Sequence, residues 1–254
     1  MIIRIKNLSY FRQKQILQNI DLTIRKNELT ILIGPNGAGK TTILKILSGI
    51  IKDFDGDIYL DDRNIKSIKR KELAKYISFQ PQSEEFLLPV TVKDILLAGR
   101  YPYKKLFYDY DNKDIEIYEK CLEKFNISGI AKQDINTLSS GERRRVLIAS
   151  AYIQDVPVLL FDEPFSNLDP EGIFDLKKIF SELKKEGKTI LIVSHNLEPL
   201  YSITDNLISL RGGRILYNGK KQNTVEVLKK TFRLNYVSLE HNSMEIFFPD
   251  ENQY

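Results

Sequence analysis

Thr30-Ile31-Leu32-Ile33-Gly34-Pro35-Asn36-Gly37-Ala38-Gly39-Lys40-Thr41-Thr42 is the stretch on which the fold turns. Its first four residues read as a short strand buried on both faces, the habit of a parallel sheet. Gly34 to Thr41 then fits G-x-x-x-x-G-K-[ST] at every fixed position. Glycines permit positive φ and let backbone N–H groups wrap phosphate oxygens. A helix starting near Lys40 aims its positive end at the same anion. In this pattern Lys40 reaches the β- and γ-phosphates, the Thr41 hydroxyl ligates Mg²⁺, and Thr42 adds a further hydroxyl. A glycine-rich turn before an ordinary helix is the competing reading. The strand before the loop and the helix after it favour a phosphate cradle.

Working outward, Val158-Leu159-Leu160-Phe161 and Thr189-Ile190-Leu191-Ile192-Val193 are two more doubly buried strands. Ile2 to Leu8 and Ile16 to Ile24 read as antiparallel strands linked by a polar loop. Residues 84–153 read as almost entirely helical, with Ile115, Tyr118, Leu122 and Phe125 on one stripe. Past Asn206, Arg214 to Tyr217 and Tyr236 to Phe248 suggest small closing strands, with a helix near Val225 to Lys230. This predicts an α/β fold: a phosphate-loop NTPase core with a mixed sheet, an antiparallel β subdomain and an inserted helical subdomain. A chain of 254 residues fits one domain over 1–254, with the insert at about 84–153 and a closing segment at about 206–254.

Composition narrows the class. Hydrophobic residues are 42% and charged residues 28%, a globular rather than a disordered balance. A single cysteine, Cys121, excludes a disulfide framework and a multi-cysteine zinc site. No apolar run approaches the length of a membrane-spanning helix. The N-terminal Met-Ile-Ile-Arg-Ile-Lys-Asn has no apolar h-region, so a cytoplasmic compartment is expected. All 38 basic residues lie at or before Arg233, with 30 of the 34 acidic ones. That modest excess fits nucleotide, nucleic acid or an anionic surface equally.

Asp162-Glu163 ends the second buried strand, where adjacent carboxylates are costly without a task. Asp162 is placed to hold Mg²⁺ through water, and Glu163 to polarise an attacking water as general base. His195 follows the third strand; a lone histidine there is more often structural. Ser139 and Glu142 make an S-x-x-E capping box. The Ser139-Ser140-Gly141 helix start is also a second, exposed anion site. One chain needs no second phosphate site for one nucleotide, unless it serves a partner's.

Taken in order, these motifs resemble the nucleotide-binding subunit of an ABC transporter, over nearly the whole chain. The resemblance makes Gly34 to Thr42 (with Pro35, Asn36, Gly37, Ala38 and Gly39) the Walker A loop. It makes Gln82, rather than Gln80, the Q-loop glutamine, joining Thr41 and Asp162 at the metal, and Leu138 to Glu142 the signature sequence. Asp162 and Glu163 become Walker B and the catalytic glutamate, Ser166 to Asp169 the D-loop, and His195 the switch histidine. The adenine-stacking aromatic falls on Phe11, with Tyr10 the alternative. Two departures stand out: Ser140 replaces a glycine of the signature, and Asn167 a small D-loop residue. Neither removes a catalytic group, so an active ATPase is expected.

Leu88-Pro89-Val90-Thr91-Val92-Lys93-Asp94 with Gly99-Arg100-Tyr101-Pro102-Tyr103 is similar to importers of iron–siderophores, haem and cobalamin. The resemblance implies ATP and Mg²⁺, a second copy of the chain in a head-to-tail homodimer, permease subunits and a substrate-binding protein. It places the protein on the cytoplasmic face of the membrane and calls for no nucleic acid. Tyr101, Tyr103 and Phe107 are candidates for the permease contact. A non-transport ABC-type ATPase in an assembly or nucleic-acid complex is the alternative. A non-hydrolysing module is disfavoured by Glu163 and His195.

Overall fold

The computed structural model of the protein describes residues 2–82, 84–104, 110–241 and 244–249. Strands β1 (Ile3–Arg12) and β2 (Lys14–Ile24) form a hairpin, and β3 (Leu29–Ile33) leads into α1 (Lys40–Leu47). Then come β4 (Asp55–Leu60), β5 (Arg63–Asn64), α2 (Arg70–Leu73) and β6 (Ile77–Gln80). Helices α3 (Val92–Ala98), α4 (Asn112–Lys124) and α5 (Ser140–Tyr152) follow. The chain continues through β7 (Val158–Asp162), α6 (Pro170–Lys185), β8 (Thr189–Val193) and α7 (Glu198–Tyr201). It closes with β9 (Asn206–Arg211), β10 (Arg214–Lys220), α8 (Thr224–Phe232), β11 (Tyr236–His241) and β12 (Met244–Pro249).

The central sheet has the order β10-β9-β3-β8-β7-β6, parallel from β9 to β6 with β10 antiparallel at one edge. Strands β3, β7 and β8 are buried at every residue, as their uninterrupted apolar runs require. A second, antiparallel sheet has the order β2-β1-β4-β5. The mixed central sheet and the antiparallel one match the expected fold class.

Two apolar clusters flank the central sheet. One joins α3, α4, α5 and α6 through residues such as Leu96, Leu122, Ile148 and Phe180. The other joins α1 and the antiparallel sheet through Ile43, Leu47, Ile5 and Ile20. Alternate strand residues serve opposite clusters: Leu159 and Phe161 the first, Val158 and Leu160 the second.

Two sequence expectations change. The polar stretch after Leu8 is strand, not loop, since β1 runs to Arg12 and β2 starts at Lys14. Only Gln13, at φ +59°, makes the turn. Polar residues suit a hairpin end exposed to water. The first helix after the Q-loop begins at Val92, with Thr91 as its cap accepting from the Asp94 N–H, so residues 84–91 are not helical. The predicted stripe does pack: Tyr118, Leu122 and Phe125 are buried, with Ile115 against them.

Candidate active site

The C-terminal ends of β3, β7 and β8 open on a cavity of 690 Å³. Gly34 to Thr42, Gln82, Asp162, Glu163 and His195 all border it. Close packing explains the loop's glycines. A Cβ on Gly34 would lie 2.1 Å from the Leu210 carbonyl oxygen of β9. Gly39 sits at φ +106°, where a Cβ would lie 2.6 Å from Leu17 Cδ2. Gly39 is also the N-cap of α1 without a side-chain cap, which leaves first-turn N–H groups to an anion.

Lys40 is buried, and its Nζ donates to the Gly34 carbonyl at 2.7 Å and the Pro35 carbonyl at 3.1 Å. Burial pushes the ammonium below its ordinary value, while the Glu163 and Asp162 carboxylates oppose that shift. Thr41 Oγ1 donates to Asp162 Oδ2 at 2.7 Å. Burial holds the Asp162 carboxyl above its usual range, and the Thr41 bond with Lys40 and Lys45 pulls the other way. A hydroxyl and one carboxylate are hard oxygen donors. They fit Mg²⁺, which is held by one or two carboxylates plus phosphates and water. Among the described residues no group of three His, Cys, Asp or Glu side chains forms an all-protein metal cage.

Glu163 adopts φ +49°, a left-handed conformation costing a non-glycine residue about 1–3 kcal/mol. Its N–H donates to the Val193 carbonyl at 2.9 Å, and its own carbonyl accepts from Ser166 Oγ at 3.0 Å. This turn brings the Glu163 carboxylate to His195, with Oε2 at 2.8 Å from Nδ1 and 3.3 Å from the backbone N.

Gln82 borders the cavity, whereas Gln80 is buried elsewhere, donating to the Pro81 carbonyl and accepting from Ser150. Phe11 and Tyr10 do not border it. Phe11 is 65% exposed, and Tyr10 packs on the cluster beneath the antiparallel sheet. Strand β2 is the edge that meets the loop, with the Ile16 carbonyl beside Gly39, and β1 lies one strand farther away. Lys14 and Ile16 of β2 and Phe232 of α8 border the cavity instead.

Ser139, Ser140, Gly141, Glu142 and Asp169 lie off the cavity. Ser139 caps α5, accepting from the Glu142 N–H at 3.3 Å, while Glu142 Oε2 accepts from the Ser139 N–H at 3.0 Å. A Cβ at Gly141 would meet nothing within 4 Å. Neither this chain's packing nor a positive φ demands glycine there. Asp169 caps α6 through the Gly172 N–H at 2.8 Å. Arg144 of α5, unremarked in the sequence, donates to the Gln82 carbonyl at 3.3 Å and to Ser166 Oγ at 3.0 Å. The run Arg143-Arg144-Arg145 was its only signal.

A sequence profile of the family described as ABC transporter matches residues 17–166, more than half of the chain. The Iron(3+)-hydroxamate import ATP-binding protein FhuC of Bacillus subtilis (strain 168) is 33% identical over 228 residues, covering 89% of this chain and 85% of that one. A metal-chelate type ABC transporter in an inward-facing conformation superposes with TM-score 0.84 at 24% identity, over 98% of this chain and 96% of that one. A dimeric bacterial ABC transporter cassette superposes with TM-score 0.76 at 24% identity, over 87% of this chain and 99% of that one.

Proposed function

The chain belongs to the ABC transporter family as an ATP-binding ATPase subunit, and we propose that it drives an importer of an iron chelate (a siderophore or haem) or cobalamin. One observation carries the mechanistic reading. Thr41–Asp162 and Glu163–His195 converge on one cavity, while the exposed Ser139 to Gly141 helix start lies away from it. The second anion site then serves a nucleotide held by another copy, and two chains close head to tail around two ATP molecules. Gly141 supports this, since its openness answers to nothing within the chain.

In this mechanism Lys40 exchanges its two loop carbonyls for phosphate oxygens. Thr41, Asp162 and Gln82 would hold Mg²⁺, which supplies charge neutralisation at the phosphates when bound. Glu163 takes a proton from the attacking water at Oε1, the oxygen that His195 does not engage, while His195 orients the carboxylate through Oε2 and holds the γ-phosphate. Asp169 and the signature residues act from the facing copy. Loss of the γ-phosphate removes the anion bridging two helix N-termini, and the pair reopens.

No helix among the described residues is long and apolar enough to cross a membrane. By likeness to the import relative, the proposal includes separate permease subunits that hold the protein at the cytoplasmic face, and a substrate-binding protein. A groove of 360 Å³ between β6 and the helices, bordered by Gln80, Glu84, Phe86 and Asp94, is the proposed permease seat. Tyr101 is 66% exposed but does not border this groove, and Phe107 lies outside the described residues. The iron-chelate assignment draws on the relative's name and on the 88–103 segment. Purification from membranes tests it: a co-purifying permease with ATPase activity stimulated by a loaded binding protein is expected. An active protein that captures no permease would overturn it.

A further inference from the structure

We propose that the basic surface around α2 seats the anionic headgroups of a phospholipid membrane.

Residues 63–75 hold Arg63, Lys66, Lys69, Arg70, Lys71 and Lys75 against one acid, Glu72. A charge run alone is an ordinary solvated face, but here the cations gather around a cavity of 190 Å³ between the end of α1 and α2. Lys52, Lys66, Lys69 and Arg70 border it and are exposed, while Ile68 and Leu73 in its wall are buried. Among the described residues no carboxylate borders it. None of the four cations joins an ion pair among those residues. Lys66 Nζ instead donates to the Gly56 carbonyl at 2.6 Å and lies 4.7 Å from the centre of the Phe54 ring. Acids of the adjoining strands are engaged elsewhere: Asp57 accepts from Asn64, Asp61 from the Ile2 N–H, and Asp62 pairs with Arg4.

Charges of one sign over an apolar wall focus their field outward, where it attracts an anion. The cavity is smaller than the roughly 300 Å³ at which sites for whole small molecules begin. It suits one phosphate-bearing headgroup within a larger anionic surface. Exposed apolar side chains stand among the same cations. Ile50 is 48% exposed two residues before Lys52, and Tyr101 is 66% exposed with Lys71 Nζ 5.5 Å from its ring centre. Lysine stems and tyrosine rings suit the boundary between lipid and water. A nucleic acid would reward the charges but not an exposed aliphatic such as Ile50.

The patch also adjoins the groove proposed above as the permease seat. Gln154, which borders that groove, donates from Nε2 to the Ala74 and Ile77 carbonyls just after α2. A permease seated there brings the basic surface close to the bilayer.

Co-sedimentation of the full chain with phosphatidylcholine vesicles and with phosphatidylserine-rich ones tests the proposal. Binding to the second alone, weakening as salt rises, is expected. Lys52→Gln, Lys69→Gln and Arg70→Gln together are expected to weaken it about a hundredfold, at about fivefold per cation, and to leave basal ATPase unchanged. The same charge removed from α6, as Lys177→Gln with Lys178→Gln and Lys185→Gln, is expected to cost less than about fivefold. No binding to phosphatidylserine-rich vesicles, or equal losses in the two triple variants, would overturn the proposal. So would patch-dependent binding of single-stranded DNA tighter than that of vesicles, or displacement of bound vesicles by inorganic phosphate at matched ionic strength. Vesicles carry no permease, so failure here and failure of permease capture are separate results.

Discussion

His195 Nδ1 and Glu163 Oε2, 2.8 Å apart, tie the end of β8 to the end of β7. The carboxylate side chain is 10% exposed, and the imidazole, 62% exposed, shields it on the open side. A base held in this way has a fixed direction of attack before substrate arrives.

Replacing that base is the sharpest test of hydrolysis. Glu163→Gln keeps an oxygen toward His195 but removes the proton acceptor. We expect kcat to fall by about 10²–10⁴-fold, with ATP affinity retained. Single-turnover hydrolysis and equilibrium binding read the two quantities separately. A variant with full turnover would remove Glu163 from the mechanism.

Asp162 makes a pH-dependent prediction. Its carboxyl is buried and held above its ordinary value of 3.8, so the folded chain takes up this proton before the unfolded chain does as pH falls. Its contribution to stability therefore declines as pH rises from the unfolded value through the raised folded one, and the penalty is complete above that. Asp162→Asn carries no charge and still accepts from Thr41. In nucleotide-free protein it should melt at a higher temperature than wild type at pH 7. The gap should close as pH drops below the ordinary aspartate range. Its Mg²⁺-dependent hydrolysis should be lost. Melting curves that coincide at every pH would contradict this reading.

At Gly141, stability and activity should part company. Space is open around it, and an aspartate in the first turn of α5 gains about 0.3–1 kcal/mol from the helix N-terminus. Gly141→Asp is thus expected to match or exceed the wild-type melting temperature. Its ATPase should fall by at least about tenfold, because like charges juxtaposed across an interface cost several kcal/mol. Undiminished turnover would show that no partner's phosphate meets this helix.

Arg100 and Asp114 test the helical region. Their side chains are 4% and 9% exposed and meet at 2.8 Å, with Arg100 Nη1 also donating to the Ile153 carbonyl at 3.0 Å. The pair joins the ends of α3 and α5 to the start of α4. Asp114→Ala leaves a buried cation unpaired and is expected to cost about 3–5 kcal/mol in urea unfolding. The double change Arg100→Met with Asp114→Leu should recover most of that. A loss under about 1 kcal/mol for the single variant would make the pair incidental.

What the sequence disclosed follows from how local each rule is. The buried runs of β3, β7 and β8 and the Gly34–Thr41 pattern are short-range demands, and the structure places them as read. Gln82 was separated from Gln80 by motif order alone; in the structure Gln82 borders the cavity, while Gln80 is buried and bonded to Ser150 of α5. The β1–β2 turn misled because Arg12 to Gln15 are polar, and solvent-facing hairpin strands accept polar residues. Phe232 was invisible for another reason. An aromatic in a nine-residue amphipathic helix reads as core, and Phe232 does pack on the core cluster; the anchoring of Thr231 by β9 also sets it at the border of the cavity. Arg144 likewise acquires meaning only when α5 is laid beside Ser166.

Because successive residues of β7 are wedged into opposite apolar layers, this strand is clamped from above and below. Asp162 and Glu163 are thus mounted on a rigid anvil. The serine-tipped helix belongs to one layer only, and Arg144 on it reaches across to Ser166, whose hydroxyl holds the Glu163 carbonyl. In the proposed closure this helix swings as a hammer, and the swing is therefore felt at the anvil, through the Arg144–Ser166 link.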